Sequence, residues 1–459
     1  MLASPPRRLL PAFVTILATL SSACSQPNEE SEETGTTSGS TTDFESSSTG
    51  FEPGSDESTS AGADESSTGE PATVCGDGEI DGHEACDDGI NDGAYGGCQP
   101  GCGALGPTCG DGNVDEGEGC DDGNVDDGDG CSTTCVASGT ALWSVSVPGW
   151  ETLDMVNLAE GGVRVALSNR DLDVDELSLR TLSLEGELVD EFVFDDIWTG
   201  APADLHTSGR LLVQRGLELR SYEQDTPLWT LELPFSDPIT TVRHSIASGD
   251  GGAFWGLRDY AGGSSVQGFD ANGDSLWQAE FPERLLDMEL AANGSALTLT
   301  SASSRNGMTV TSYLPDGDIE FSADLPALIH TGRLRASSSG LGICWRREDG
   351  DTYGAASLSG EAALEWSDSF GEPEPLETSC LDVAVLEGGD LVVLELVRNK
   401  STFERQFILR RIAEGESVWA ADLDVPSNST NGRVLEGPED KLLIALSGPS
   451  ETVIQRLEP

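Results

Sequence analysis

The sequence predicts an all-β protein: a seven-bladed β-propeller in which each blade has four strands and the last blade is completed by a strand lying ahead of the first. Three observations carry this. A polar or Gly-containing turn before an apolar strand recurs seven times between residues 160 and 446, a second turn before an aromatic strand recurs six times, and one aromatic strand is left over upstream. No stretch of this region keeps the 3.6-residue apolar period of a helix.

The chain begins with a segment set apart from the fold. Arg7 and Arg8 precede an apolar run, Leu9 to Leu20, that is too short to span a bilayer. Leu20-Ser21-Ser22-Ala23-Cys24 follows, and it resembles the lipobox cut by the lipoprotein signal peptidase. The family places Leu three residues before the cysteine; here Ser21 stands there and the leucine is one place earlier. The resemblance implies a signal peptide over 1–23, acylation of Cys24 and a lipid bilayer as partner. Ordinary secretory cleavage, with Cys24 a spare thiol, is the competing reading. Ser25 in place of Asp implies the outer membrane under the best-known sorting rule.

Residues 24–74 read as an acidic tether. Ser, Thr, Gly and Glu dominate, and so little can be buried that ordering the segment would not be offset. Charge is acidic throughout: 82 Asp and Glu oppose 24 Lys and Arg, and Leu9 to Val163 contains no Lys or Arg. Nucleic acid and anionic surfaces are thereby excluded as partners.

A duplication occupies the next 60 or so residues. Cys75, Cys86, Cys98 and Cys102 recur as Cys109, Cys120, Cys131 and Cys135, with CGDG opening and CDDG at the centre of each copy. These motifs resemble the myxobacterial-type cysteine-rich repeat, the second copy more closely than the first. Each copy, 75–102 and 103–135, is too poor in apolar residues to build a core, so two disulfides per repeat are expected to replace burial. Four cysteines allow three pairings, which remain open, and zinc is the rival use of the thiols. Calcium is the candidate cofactor, although none is required. Asp77, Glu79, Asp81 and Asp88 fall at the spacing of an EF-hand-like loop, and Asp111, Asn113, Asp115 and Asp122 repeat it. Turns and solvated charge would explain the same residues.

Residues 136–459 carry the blades. The seven turns start at Glu160, Ser208, Asp250, Asn293, Ser339, Glu387 and Glu439. The six second turns, at Glu185, Gln224, Asn272, Asp316, Ser359 and Glu414, precede strands holding Phe192, Trp229, Trp277, Phe321, Trp366 and Trp419. The seventh such strand is the upstream one around Trp143, which closes the ring with backbone hydrogen bonds. The turn-plus-tryptophan pattern, as in FDANGDSLWQAEF, resembles the repeats of PQQ-like bacterial propellers. A pair of β-sandwiches is the rival fold. Cys344 and Cys380, in the fifth and sixth units, form a candidate disulfide between neighbouring blades, with two free buried thiols as the alternative.

No catalytic constellation is legible. The histidines His83, His206, His244 and His330 lack metal-ligand spacing, and no nucleophile elbow or phosphate loop occurs. Ser248 to Trp255 matches a sialidase box, but it is also one of the seven hairpins and reads as structural. The leading expectation is a non-enzymatic envelope lipoprotein whose propeller binds a protein or glycan, with the cysteine-rich module as a stiff spacer. An outer-membrane assembly factor of the PQQ-like propeller type, and a hydrolase or quinoprotein, are the alternatives.

Overall fold

The computed structural model describes residues 74–80, 82–169, 176–195, 197, 203–215, 218–233, 242–247, 252–259, 263–301, 307–325, 329–347, 351–361, 363–372, 374–423, 425, 429, 431–448 and 450–459. Cys24, the tether up to residue 73 and Asp81 lie outside them. Among the described residues the helical content is a single 3-10 turn, Pro438–Asp440, and no helix is long and apolar enough to cross a membrane.

Seven four-stranded antiparallel sheets form the blades of a propeller. Numbered from the N-terminus, their innermost strands are Trp150–Asn157, Ala203–Leu205, Val242–Ala247, Arg284–Leu290, Ile329–Ala336, Leu376–Val385 and Asn431–Glu436. In the seventh blade, the strands Asn431–Glu436, Leu442–Ser447 and Glu451–Leu457 are followed by Ala141–Pro148 as the outermost strand. Trp143 pairs with Arg456 and Val147 with Thr452 in that junction. The strand read as displaced thus closes the ring, and every aromatic strand anticipated from the second turns is the outer strand of its blade.

The core is distributed around the ring. Each of the seven blade interfaces holds one apolar cluster: Leu167 with Leu443 joins blades seven and one, and Leu177 with Leu211 joins one and two. The other five are represented by Trp229 with Trp255, Phe254 with Leu285, Leu299 with Ile343, Tyr353 with Val393, and Leu409 with Ile444. Successive side chains of a strand point to opposite faces, so a blade covered on both sides needs near-continuous apolar strands. The sequence supplies them, as in Leu442–Ser447, which is buried along its whole length. Trp143, Trp229, Trp277, Trp366 and Trp419 all pack into these interfaces.

Residues 108–459 form one compact unit, and the described residues 74–107 belong to another. The second cysteine repeat, from Thr108 onward, therefore sits in the same unit as the blades. Both repeats use one nested pairing: Cys75–Cys102 encloses Cys86–Cys98, and Cys109–Cys135 encloses Cys120–Cys131. Cα separations of 5.6 to 5.8 Å suit such bonds. Cys344 and Cys380 are also bonded across blades five and six, with Cα atoms 6.2 Å apart.

Candidate functional site

The innermost strands, together with the last turns of blades three and four, wall a cavity of about 1460 Å³. Register aligns one wall position in each blade. The fourth residue of every second strand faces Asp154, Ala203, His244, Asp287, Arg333, Asp382 and Arg433 in turn. Around blades four, five, six, seven and one, the charges therefore alternate: Asp287, Arg333, Asp382, Arg433, Asp154.

These five side chains share one task, which is to reach the innermost strand of the next blade. Asp154 Oδ2 accepts the Leu205 N–H at 2.7 Å, Asp287 Oδ2 that of Leu334 at 2.9 Å, and Asp382 Oδ2 that of Val434 at 3.2 Å. Arg333 Nε donates to the Leu381 carbonyl at 3.2 Å, and an Arg433 Nη donates to that of Leu153 at 3.0 Å. A β-bulge precedes each of the three aspartates, and it re-aims the side chain along the wall. Innermost strands converge on the axis with few outer neighbours, so these bonds satisfy backbone groups that would otherwise face the channel.

A second layer adds Glu289, Arg335 and Asp204. Arg335 lies 2.8 Å from Asp382, 3.2 Å from Glu289 and 3.6 Å from Asp287. Burial works against the Arg335 charge, yet these carboxylates hold its pKa well above the ordinary arginine value. Burial pushes the Glu289 carboxyl up to about 8, Arg335 opposing and Asp287 assisting. Asp204 is raised well above the carboxylate range by burial and then by the neighbouring Asp154, itself raised by burial against the pull of Arg433 and Arg335. Asp204 Oδ2 has no hydrogen-bond partner among the described residues. Burial, and then repulsion from Arg333, lower Arg433. The cavity thus offers apolar wall, fixed charges of both signs and, at Asp204, a carboxyl oxygen without a partner among the described residues, the mixture found in sites for polar ligands.

None of this layout was recognised from sequence. The available signals were the triplets Leu153-Asp154-Met155, Leu286-Asp287-Met288 and Leu381-Asp382-Val383, and the pairs Gly332-Arg333 and Gly432-Arg433, each charged residue eight or nine positions ahead of a second strand. Of the histidines, His206 lines the cavity, with Nδ1 2.9 Å from Ser208 Oγ. Residues 248–251 of the sialidase-like box lie outside the described residues, and Trp255 is packed between blades two and three.

The residues singled out for calcium are spread along the two repeats, and the structure gives several of them local work. Asp88 Oδ1 accepts the N–H groups of Ile90 and Asn91, at 2.9 and 2.6 Å, and Oδ2 that of Cys98 at 2.9 Å. Asp77 and Asp111 each accept a backbone bond from the residue two further on, Glu79 and Asn113. The preceding aspartates, which sequence reasoning passed over, organise both repeats. Asp87 accepts from the backbone of Gly76, Asp77 and Gly89, and Asp121 from that of Gly110, Asp111, Gly112 and Gly123. Glu84 and Asp87 lie by Cys102, and Glu118 and Asp121 by Cys135, but both sulfurs are spent in disulfides. Burial, then Asp111, Glu118 and Asp121, raise the Asp115 carboxyl. Asp122 is exposed nearby.

No family model matches the chain, and no curated protein matches it. Solved structures do. Virginiamycin B lyase from Staphylococcus aureus aligns with a TM-score of 0.46 at 10% identity, covering 68% of this chain and 98% of that one. A quinoprotein alcohol dehydrogenase-like protein from Bacteroides thetaiotaomicron aligns at 0.41 and 14%, covering 63% and 68%. The WD40 domain of coronin from Toxoplasma gondii aligns at 0.42 and 11%, covering 70% and 89%.

Proposed function

We propose that the chain is an exported envelope lipoprotein, held to a membrane by acyl chains on Cys24, whose propeller binds an envelope or extracellular protein or glycan in the cavity. The cavity carries the reading: it sets the buried Asp204 carboxyl, whose Oδ2 has no hydrogen-bond partner among the described residues, beside fixed charges in a walled space of about 1460 Å³. A binding role is favoured over a catalytic one because the Asp and Arg side chains of the wall are committed to bonds between blades. The lipobox resemblance and the acidic tether support presentation at a distance from the lipid surface.

The test is made in cells on the full chain. Labelled palmitate enters the wild type and not Cys24→Ser, and label kept by Cys24→Ser overturns the anchor. Envelope crosslinking then captures a component whose yield falls several-fold, roughly the loss of one buried hydrogen bond, in Asp204→Leu. Equal capture by both chains overturns the cavity. Recovery of barrel-insertion subunits would instead mark an assembly factor.

A further inference from the structure

Two outer-strand tryptophans bond the last turn of the following blade, although the Trp229 indole N–H has no partner among the described residues, and blade seven has no such turn of its own to offer. Trp143, on the outer strand of blade seven, donates its indole N–H to the Leu184 carbonyl at 2.7 Å, and Leu184 lies in the last turn of blade one. Trp277 of blade three donates likewise to Pro315, in the last turn of blade four, at 2.9 Å. In both turns the acceptor is followed by an acidic residue and then a glycine of positive φ: Leu184-Glu185-Gly186 and Pro315-Asp316-Gly317.

Trp419, on the outer strand of blade six, needs the corresponding turn of blade seven. That turn does not exist, because the fourth strand of blade seven is Ala141–Pro148, from the other end of the propeller sequence, and the third is Glu451–Leu457. The indole of Trp419 instead donates to the carbonyl of Gly128, in the second cysteine repeat, at 3.0 Å. Gly128-Asp129-Gly130 repeats the acceptor, acidic residue, positive-φ glycine order of the blade turns.

A second bond repeats the match. Arg456, the cross-strand partner of Trp143, also donates to Leu184 O, at 3.2 Å. Arg411, the cross-strand partner of Trp419, also donates to Gly128 O. One carbonyl thus receives an indole and a guanidinium at each of two successive joints, once from a blade turn and once from the repeat. The segment after the repeat continues the closure: Gly139 N–H bonds the Glu458 carbonyl at 2.8 Å, and Glu458 N–H bonds that of Thr140 at 3.0 Å.

We propose that the second cysteine repeat is the clasp of the propeller: its 128–130 loop takes the place of the missing seventh turn, and the Cys120–Cys131 disulfide, which spans that loop, latches the ring shut. The duplicated disulfides supply an internal control, since Cys86–Cys98 is the counterpart of Cys120–Cys131.

Amide hydrogen exchange of the full chain, read by mass spectrometry over residues 416–422 and 451–457, tests this. Replacing Cys120 and Cys131 by Ala raises exchange there by about tenfold or more, whereas replacing Cys86 and Cys98 leaves it unchanged. Equal effects of the two pairs, or none from either, would overturn the clasp. Trp419→Phe, which keeps the ring and removes the donor, guards against general misfolding. Its effect on exchange is large in the wild type and mostly lost in the chain lacking Cys120 and Cys131; effects that simply add contradict the proposal.

Discussion

Arg335 holds Asp382 at 2.8 Å in the propeller wall, and Asp382 is fully shielded from solvent. The same guanidinium faces Glu289 and Asp287, so one cation stands among three carboxyl groups. Removing one partner of a buried pair leaves a charge without compensation. Arg335→Leu is expected to destabilise the propeller by about 3–5 kcal/mol in urea unfolding, with little change in the slope of the transition.

Glu289 gives the propeller a pH dependence of definite sign. Its folded-state pKa of about 8 stands above the ordinary 4.5, so the folded chain keeps a proton that the unfolded chain releases. The contribution is full below about 4.5, is lost as pH rises toward 8, and is absent above it. Melting temperature followed across this window therefore falls more steeply in the wild type than in Glu289→Gln, which carries no titrating group there. Parallel curves would show that Glu289 titrates normally.

The disulfide between blades five and six encloses a long loop, with a sequence separation of 36. Constraining such a loop in the unfolded chain is worth about 3–4 kcal/mol. Replacing Cys344 and Cys380 together by Ala should lower unfolding free energy by roughly that amount, read from denaturant curves of the full chain.

Asp121 collects four backbone N–H bonds, and Asp87 does similar work in the first repeat. Asp121→Ala removes the template that brings Cys109 and Cys120 to their partners. Peptide mapping of unreduced protein is expected to show mispaired bonds among residues 109–135 and intact pairing in 75–102.

The ring was legible from residues because its signal is repetitive: turn, apolar strand, turn, aromatic strand, with Trp143 left over and a partner strand missing at the other end. Strand count and the closing blade both follow from that pattern. The channel was not legible, since Asp154 and Arg333 become equivalent only once register aligns them, and opposite charges at one position hide the repeat. The nested disulfides were undetermined for the reason stated by counting: three pairings fit four cysteines. The role of Gly128 was hidden more deeply, because a glycine in a Gly-rich repeat carries no mark of the tryptophan, 291 residues away, that bonds it.

The cavity, rather than the outer edge of the blades, is the proposed binding surface. A photoreactive residue placed at Ser337, on the cavity wall, is compared in intact cells with one at Val193, exposed on an outer strand. A discrete envelope adduct is expected from position 337 and none from 193. An adduct from 193 alone, or from neither, contradicts it.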